Sequence, residues 1–220
     1  MLAAKGRPQN PSDLTTSLLI HVQTAYDAAF MAAPNIPVPV KLREKAQLMT
    51  ASEMEAALSR IAQEIEKKND GVSGLGLIGI RRRGVPMAER LGKLIERKEG
   101  VTIPVGSLGI SFYREDLSTL GPRPVVETSE IELPVEANKI VLVDDVLFTG
   151  RTTLAALEAL ALLGPTIRVQ LCVLIDRGHR ELPIAADFIG RTVATTMNEV
   201  IEVKFMETDG VEKVLLMEKT

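Results

Sequence analysis

The chain has 220 residues, is 45% hydrophobic and 25% charged, and carries a formal net charge of −3. This suits a globular protein large enough to bury a core, and it argues against a molecule coated throughout in positive charge, though not against a local basic face. The single cysteine, Cys172, excludes a disulfide framework, and with only His21 and His179 a His-rich zinc site has too few ligands.

No apolar run is long enough to cross a bilayer, and no apolar stretch with a cleavage site follows Lys5 and Arg7, so the cytoplasm is the expected compartment. Residues 1–43 differ from the rest and hold Pro8, Pro11, Pro34, Pro37 and Pro39. Residues 14–33 suit one helix and 36–40 an extended linker. We expect an N-terminal extension here, poorly ordered or arising from a start site assigned too far upstream. A folded domain then spans 44–220.

The punctuation becomes clear at Ser52, which with Glu55 suits a capping box; Met54, Leu58, Ile61 and Ile65 follow at helical spacing. Residues 75–80 read as a buried strand and 86–97 as a helix with Pro86 in its first turn. Residues 103–113 form a second strand region, and 114–137 a long loop of the kind that often serves as a lid. Strands at 139–143 and 169–175 flank a helix at 152–163, with a further short strand at 187–189. Residues 200–206 and 211–217 flank Thr208-Asp209-Gly210, a hairpin signal. Apolar strands alternating with helices predict an α/β fold with a mostly parallel central sheet flanked by helices. Cys172 falls within an apolar run and reads as a buried, inert thiol.

The chemistry concentrates in Ile140-Val141-Leu142-Val143-Asp144-Asp145-Val146-Leu147-Phe148-Thr149-Gly150-Arg151-Thr152-Thr153. A buried strand ends in two carboxylates, a Thr-Gly turn follows, and a helix begins. Open α/β sheets bind ligands at such strand ends. Amides at a helix N-terminus hold a phosphate through N–H groups and the dipole, and Asp144 and Asp145 can accept hydrogen bonds from a ribose cis-diol. The segment is neither a Walker A loop nor G-x-G-x-x-G. Arg81-Arg82-Arg83-Gly84, directly after a strand, favours anion binding.

The segment from Ile140 to Thr153 closely resembles the phosphoribosyl-diphosphate (PRPP) motif of the type I phosphoribosyltransferases. Asp176-Arg177-Gly178-His179-Arg180-Glu181-Leu182-Pro183-Ile184 resembles the base-recognition segment of the branch that joins pyrimidine-operon attenuation to uracil phosphoribosyl transfer. Gly79-Ile80-Arg81-Arg82-Arg83-Gly84 and Ser111-Phe112-Tyr113-Arg114-Glu115-Asp116-Leu117 are similar to further parts of that family, and the likeness runs from about Glu44 to near the C-terminus. The resemblance implies a type I phosphoribosyltransferase fold with a small hood and a C-terminal hairpin. It implies transfer of uracil to PRPP, giving UMP and diphosphate.

The implied catalytic set is Asp144, Asp145, Arg83 and Arg114, with Arg114 reaching the diphosphate from a loop at 113–126. Asp144 and Asp145 hold the ribose hydroxyls directly or through water on Mg2+, which favours few protein ligands. Val146, Leu147, Phe148, Thr149, Gly150, Arg151, Thr152 and Thr153 form the 5-phosphate loop. Arg81, Arg82, Arg83 and Gly84 form the pyrophosphate loop, in which Arg82 replaces the small polar residue usual in the family. Leu174, Ile175, Asp176, Arg177, Gly178 and Leu182 supply the uracil pocket, chiefly through backbone groups.

The resemblance also implies binding of pyrimidine-operon leader mRNA, strengthened by UMP and weakened by PRPP. Candidates for the RNA face are Ser59, Arg60, Gln63, His179, Arg180 and Arg191. Gln63 stands where the family carries His, and Ala185 where it carries Arg. A homodimer or larger homo-oligomer is the implied assembly. Two alternatives stay open: a salvage uracil phosphoribosyltransferase without RNA regulation, and a transferase for another base such as hypoxanthine or orotate.

Overall fold

The structure, a computed structural model, describes residues 41–110, 126–127, 139–163 and 168–220. The chain divides into two units, Met1–Val40 and Lys41–Thr220. The expected helix at 14–33, the linker at 36–40 and nearly all of the loop at 114–137 lie outside the described residues.

The described elements are β1 (Leu42–Thr50), α1 (Ala51–Lys68), β2 (Leu75–Ile80), α2 (Gly84–Glu99), β3 (Val105–Ile110) and β4 (Val126–Glu127). They continue as β5 (Lys139–Leu147), α3 (Arg151–Leu163), β6 (Arg168–Asp176), β7 (Phe188–Thr192), β8 (Glu199–Lys204), α4 (Met206–Asp209) and β9 (Lys213–Lys219). A six-stranded sheet runs in the order β4-β3-β2-β5-β6-β7. Its pairs are parallel except β3 with β4. A second sheet, in the order β1-β9-β8, is antiparallel and forms the hood.

Strand alternation divides the core between the two faces of the main sheet. Leu77, Val141, Val143, Cys172 and Leu174 pack with Met54, Leu58, Ile61 and Ile65 of α1, Met87, Leu91 and Ile95 of α2, Ile201 and Val203 of the hood strand β8, and Phe205 just after it. Ile78, Ile80, Ile140, Leu142, Leu171 and Val173 pack on the opposite face with Ala156, Ala159 and Leu160 of α3. Cys172 is fully buried, as its apolar neighbours predict, and burial pushes its thiol up.

Several boundaries differ from the sequence expectation. The capping box is Thr50 with Glu53, not Ser52 with Glu55: the Glu53 amide donates to Thr50 Oγ1 at 3.3 Å and the Thr50 amide to Glu53 Oε2 at 2.8 Å. Both registers satisfy the motif. The hydrophobic contact across the helix start decides, because only a Thr50 cap puts buried Met49 and Met54 at the stapling positions. Helix α2 begins at Gly84, two residues before Pro86, so the missing Pro86 N–H still lies in the first turn. Val126–Glu127, expected as loop, adds a short strand to β3.

The expected C-terminal hairpin forms, β8 pairing antiparallel with β9, but its connection at Thr208-Asp209-Gly210 is a helical turn, α4, closed by Gly210 at φ 66°, rather than a tight turn. Strand β1 carries no alternating pattern, since eight of its nine positions are exposed or half-exposed, and pairing with β9 rather than burial organises it. It begins at Leu42, so the compact unit starts slightly before the expected boundary at 44.

Candidate active site

The carboxyl ends of β2, β5 and β6 carry the three segments singled out in the sequence. Strand β5 runs further than expected. Val146 pairs with Ile175 and Leu147 with Asp176, so both belong to the sheet and not to a phosphate loop. Of the segment expected to form the 5-phosphate loop, Phe148–Thr153 lies beyond the strand, with Thr149 and Thr153 buried. Gly150 turns the chain at φ 93°, a left-handed conformation that disfavours a side chain. Helix α3 then starts at Arg151, and its first amides lack intrahelical acceptors. The Arg151 amide is met by Thr149 Oγ1 at 3.4 Å.

Asp144 and Asp145 stand just ahead of that loop. Asp144 Oδ1 accepts from the Asp145 amide and Asp145 Oδ1 from the Val146 amide, each at 3.0 Å. These contacts orient both carboxyls off the strand end. Burial pushes the Asp145 carboxyl above the usual carboxylate range, while nearby Arg83 pulls it down. Two adjacent oxygen donors fit Mg2+, a hard cation that takes few protein ligands and completes its shell with water and phosphate. Among the described residues no three His, Cys, Asp or Glu side chains gather to cage a metal, so Asp144 and Asp145 are the donors on offer.

The Arg81–Gly84 loop lies beside β5. Its Arg81–Arg82 peptide is cis. Gly84 brings α2 against β5 so closely that a Cβ there would sit 2.3 Å from the Val143 carbonyl oxygen. Arg81 donates to Ser107 Oγ at 3.4 Å, and Arg82 is exposed. Arg83 is engaged otherwise than expected: its Nε and Nη2 donate to Asp209 at 3.2 and 2.8 Å. Asp209 holds Arg83 firmly charged and is itself lowered by that contact. Arg114 lies outside the described residues.

The base segment is fastened to the phosphate loop. The Glu181 and Leu182 amides donate to the Thr149 carbonyl at 3.0 and 3.2 Å. Arg180 donates to the carbonyls of Phe148 at 2.7 Å, Gly178 at 3.0 Å and Ile184 at 3.1 Å, and pairs with Asp176 at 2.6 Å. Its guanidinium is therefore committed inside the loop, contrary to the expectation of an RNA-facing side chain. Arg177 is buried, stacks on Phe148 with its guanidinium carbon 4.1 Å from the ring centroid, and donates to Thr195 Oγ1 at 3.1 Å and the Glu199 carbonyl at 2.6 Å. His179 lies edge-on to Phe148 and meets the Thr195 carbonyl at 2.7 Å through Nε2.

Several backbone donors assigned to uracil are used within the protein. The Arg177 amide donates to Leu147, the Gly178 amide to Asp176 Oδ1, and the Leu182 amide to Thr149. Leu174 and Ile175 sit inside the sheet, fully buried. The remaining RNA candidates divide. Ser59, Arg60 and Gln63 share one stretch of α1, and Arg60 donates to the carbonyls of Ile189 and Gly190 at 2.9 and 2.7 Å. That reach brings them beside Arg191, whose guanidinium donates to the Leu48 carbonyl at 2.5 Å. His179 and Arg180 lie instead on the base segment. Sequence reasoning missed Asp209 altogether, because it read as a turn residue.

A parallel sheet whose strand ends carry an acidic pair, a helix-start phosphate loop and an arginine loop defines a type I phosphoribosyltransferase. Residues 45–205 match the phosphoribosyl transferase domain family. The bifunctional PyrR protein of Thermus aquaticus is 53% identical over 178 residues, which cover 81% of this chain and 98% of that protein. That of Chloroflexus aurantiacus is 52% identical over 171 residues, covering 78% and 94%. The chain belongs to this bifunctional PyrR family, whose members regulate pyrimidine biosynthesis genes and are uracil phosphoribosyltransferases.

Solved structures agree on the fold. A Trypanosoma cruzi hypoxanthine phosphoribosyltransferase in a ternary substrate complex matches with a TM-score of 0.63 at 19% identity, covering 80% of this chain and 96% of that one. A Bacillus anthracis hypoxanthine-guanine phosphoribosyltransferase gives 0.60 at 15% identity, covering 81% and 99%. Among the described residues, no helix is long and apolar enough to cross a membrane.

Proposed function

We propose that the strand-end pocket joins uracil N1 to C1 of PRPP and releases diphosphate, with the following division of labour. Phe148–Thr153 hold the 5-phosphate through the first amides of α3 and the Thr149, Thr152 and Thr153 hydroxyls. Asp144 and Asp145 hold the ribose hydroxyls and, through water, Mg2+. That ion supplies charge neutralisation on the departing diphosphate. Arg81, Arg82, Arg83 and, from the loop after β3, Arg114 face the same charge.

Uracil sits against the 176–182 segment. Carbonyl oxygens there keep a second lone pair for N3–H. With the Arg177, Gly178 and Leu182 amides used internally, donors for the uracil oxygens fall to the amides of His179 and Arg180. These have no acceptor among the described residues.

One observation carries this reading: the phosphate loop and the base segment are a single fastened unit, joined at Thr149 and by Arg180. A ligand gripping one is registered by the other, which suits a pocket joining a phosphorylated ribose to a base. The test is turnover of uracil, PRPP and Mg2+ to UMP, with hypoxanthine and orotate as competitors. Absence of UMP from folded protein would overturn the reading, and preferred use of another base would redirect it.

The regulatory partner is pyrimidine-operon leader mRNA, bound more tightly with UMP than with PRPP. Differential binding of UMP and PRPP by the RNA-bound and RNA-free states is the only source of such a bias, and the coupling is reciprocal. Ser59, Arg60 and Gln63 with neighbouring Arg191 are the contact candidates best placed for it. His179 belongs to the base segment, where it is suited to report occupancy. A gel shift with the leader RNA, adding UMP and then PRPP, tests this; no specific binding at modest salt leaves a salvage enzyme. The protein acts in the cytoplasm as a homodimer or larger homo-oligomer. Residues 1–40 precede the catalytic unit, so a protein starting at Lys41 keeps uracil turnover.

A further inference from the structure

Arg83 and Asp209 lie 126 residues apart in the chain, at the N-terminus of α2 and in the turn that closes the hood. They meet in a two-point fork–carboxylate contact. The Asp209 carboxylate is not a surface group that drifted there. Its Oδ2 also accepts the amide of Phe205 at 3.0 Å, and Phe205 is fully buried. Gly210 in the left-handed conformation closes the turn that carries it. The carboxylate is thus fixed by the core before Arg83 reaches it.

A guanidinium has five N–H donors in one plane. Asp209 takes the Nε edge and one Nη2 hydrogen, leaving three donors on the other edge of the fork. The remaining charge near Arg83 is that of Asp145 and Glu202. Without Asp209, the pocket carboxylate whose charge acts on Arg83 is that of Asp145. Collapse of Arg83 onto it would cancel the cation meant for diphosphate against the anion meant for Mg2+ and ribose.

We propose that Asp209 is the positioning residue for Arg83. It engages one edge of the guanidinium so that the opposite edge stays presented to the diphosphate of PRPP, away from Asp145. The inference rests on the reading of Arg83 as a diphosphate ligand. It makes the hood part of the transferase site rather than a cover, and it assigns the turn after β8 a role in substrate affinity.

The test is a double-mutant cycle on the full chain with Arg83→Gln, Asp209→Asn and the pair, scored by steady-state kinetics and by diphosphate inhibition. Asp209→Asn is expected to raise KM for PRPP and Ki for diphosphate about tenfold, with KM for uracil nearly unchanged. The double variant is expected to be no worse than Arg83→Gln alone. Asp209→Glu, which keeps the charge on a longer stem, is expected to fall between wild type and Asp209→Asn, and it carries the test should Asp209→Asn not fold.

Glu207→Gln is the structural control, because Glu207 also ties α4 to α2, through Arg90 at 2.8 Å, but touches nothing in the pocket. An equal PRPP effect from Glu207→Gln, or additive losses in the cycle, would overturn the proposal and leave Asp209 as a hood latch. If Arg83→Gln itself leaves PRPP and diphosphate affinity intact, the reading of Arg83 fails instead, and the two failures are told apart.

Discussion

Arg180 donates to the Phe148 carbonyl at 2.7 Å while its other Nη pairs with Asp176 at 2.6 Å. The residue closing the base segment therefore holds the phosphate loop. This explains why a long charged side chain in a family of RNA-associated proteins is turned inward: carbonyls that end two buried strands need donors, and a planar fork serves several at once. Arg180→Ala is expected to raise KM for uracil and for PRPP together, and to cost about 1–3 kcal/mol of stability by leaving carbonyl groups unmet. Arg180→Lys is expected to recover little, because one ammonium cannot span the three carbonyls. Steady-state kinetics with thermal unfolding of both variants checks this, and a change confined to RNA affinity would contradict it.

The acidic pair makes a sharper demand. Replacing Asp144 or Asp145 with Asn keeps shape and hydrogen-bonding capacity but removes charge from the strand end. Each variant is expected to lose about a hundredfold or more in kcat, the scale of removing one preorganised electrostatic contact in a transition state. Both should also show a weakened dependence on Mg2+ in a titration, and chelation of the metal should silence the wild type. A variant with wild-type turnover and unchanged Mg2+ dependence would exclude that carboxylate from the ribose and metal site.

Gly84 has a purely steric role. A Cβ at 84 falls 2.3 Å from the Val143 carbonyl oxygen, on backbone that cannot swing aside. Gly84→Ala must therefore push α2 from β5 just before Asp144. Overpacking of this kind costs about 1–3 kcal/mol. The expected result is a lowered Tm with a larger proportional loss of kcat/KM for PRPP than for UMP binding, read by kinetics and calorimetry.

The acid side of the stability profile depends on Glu199. It accepts from Lys45 at 2.6 Å and from the Thr196 amide at 2.7 Å, and these contacts hold its carboxyl at about 2. A carboxyl lowered on folding stabilises the native state above its unfolded value of 4.5 and loses that contribution as pH falls towards 2. Glu199→Gln is expected to be less stable than wild type at neutral pH, with the difference shrinking through that window. Thermal melts across the pH range measure it; a gap that stays constant below pH 4.5 would rule the linkage out.

What was legible in the sequence follows from which forces are local. Strands β2, β5 and β6 are continuous apolar runs because both faces are buried, and turn residues bound them. The Asp144–Thr153 segment was legible because strand, acids, turn and helix start are contiguous. The capping register was not, since Thr50-x-x-Glu53 and Ser52-x-x-Glu55 both satisfy the pattern and the choice lies in packing between Met49 and Met54. Strand β1 was missed because it is organised by pairing with β9, far away in the chain. Arg180 reads as a surface charge until its acceptors are seen, and Asp209 reads as a turn residue until Arg83 arrives from 126 residues earlier in the chain. Sequence shows a charge; only the fold shows what compensates it.

Ala185 gives the RNA face its most economical test. It is exposed on the base segment, two residues before Asp187 pairs with Lys68 at 2.6 Å, so a longer side chain there displaces no core atom. An alanine makes no phosphate contact. An arginine at this position would add one, and each phosphate neutralised on single-stranded nucleic acid steepens the dependence of log affinity on log salt by about 0.7. Ala185→Arg is accordingly expected to tighten binding of leader RNA, to steepen its salt slope by about that amount, and to leave uracil turnover unchanged. If the slope does not move, position 185 lies away from the bound RNA, and the face is confined to α1 and the end of β7. If turnover falls as the slope rises, the nucleic acid and the base compete for one surface, and the UMP dependence of binding would then reverse in sign.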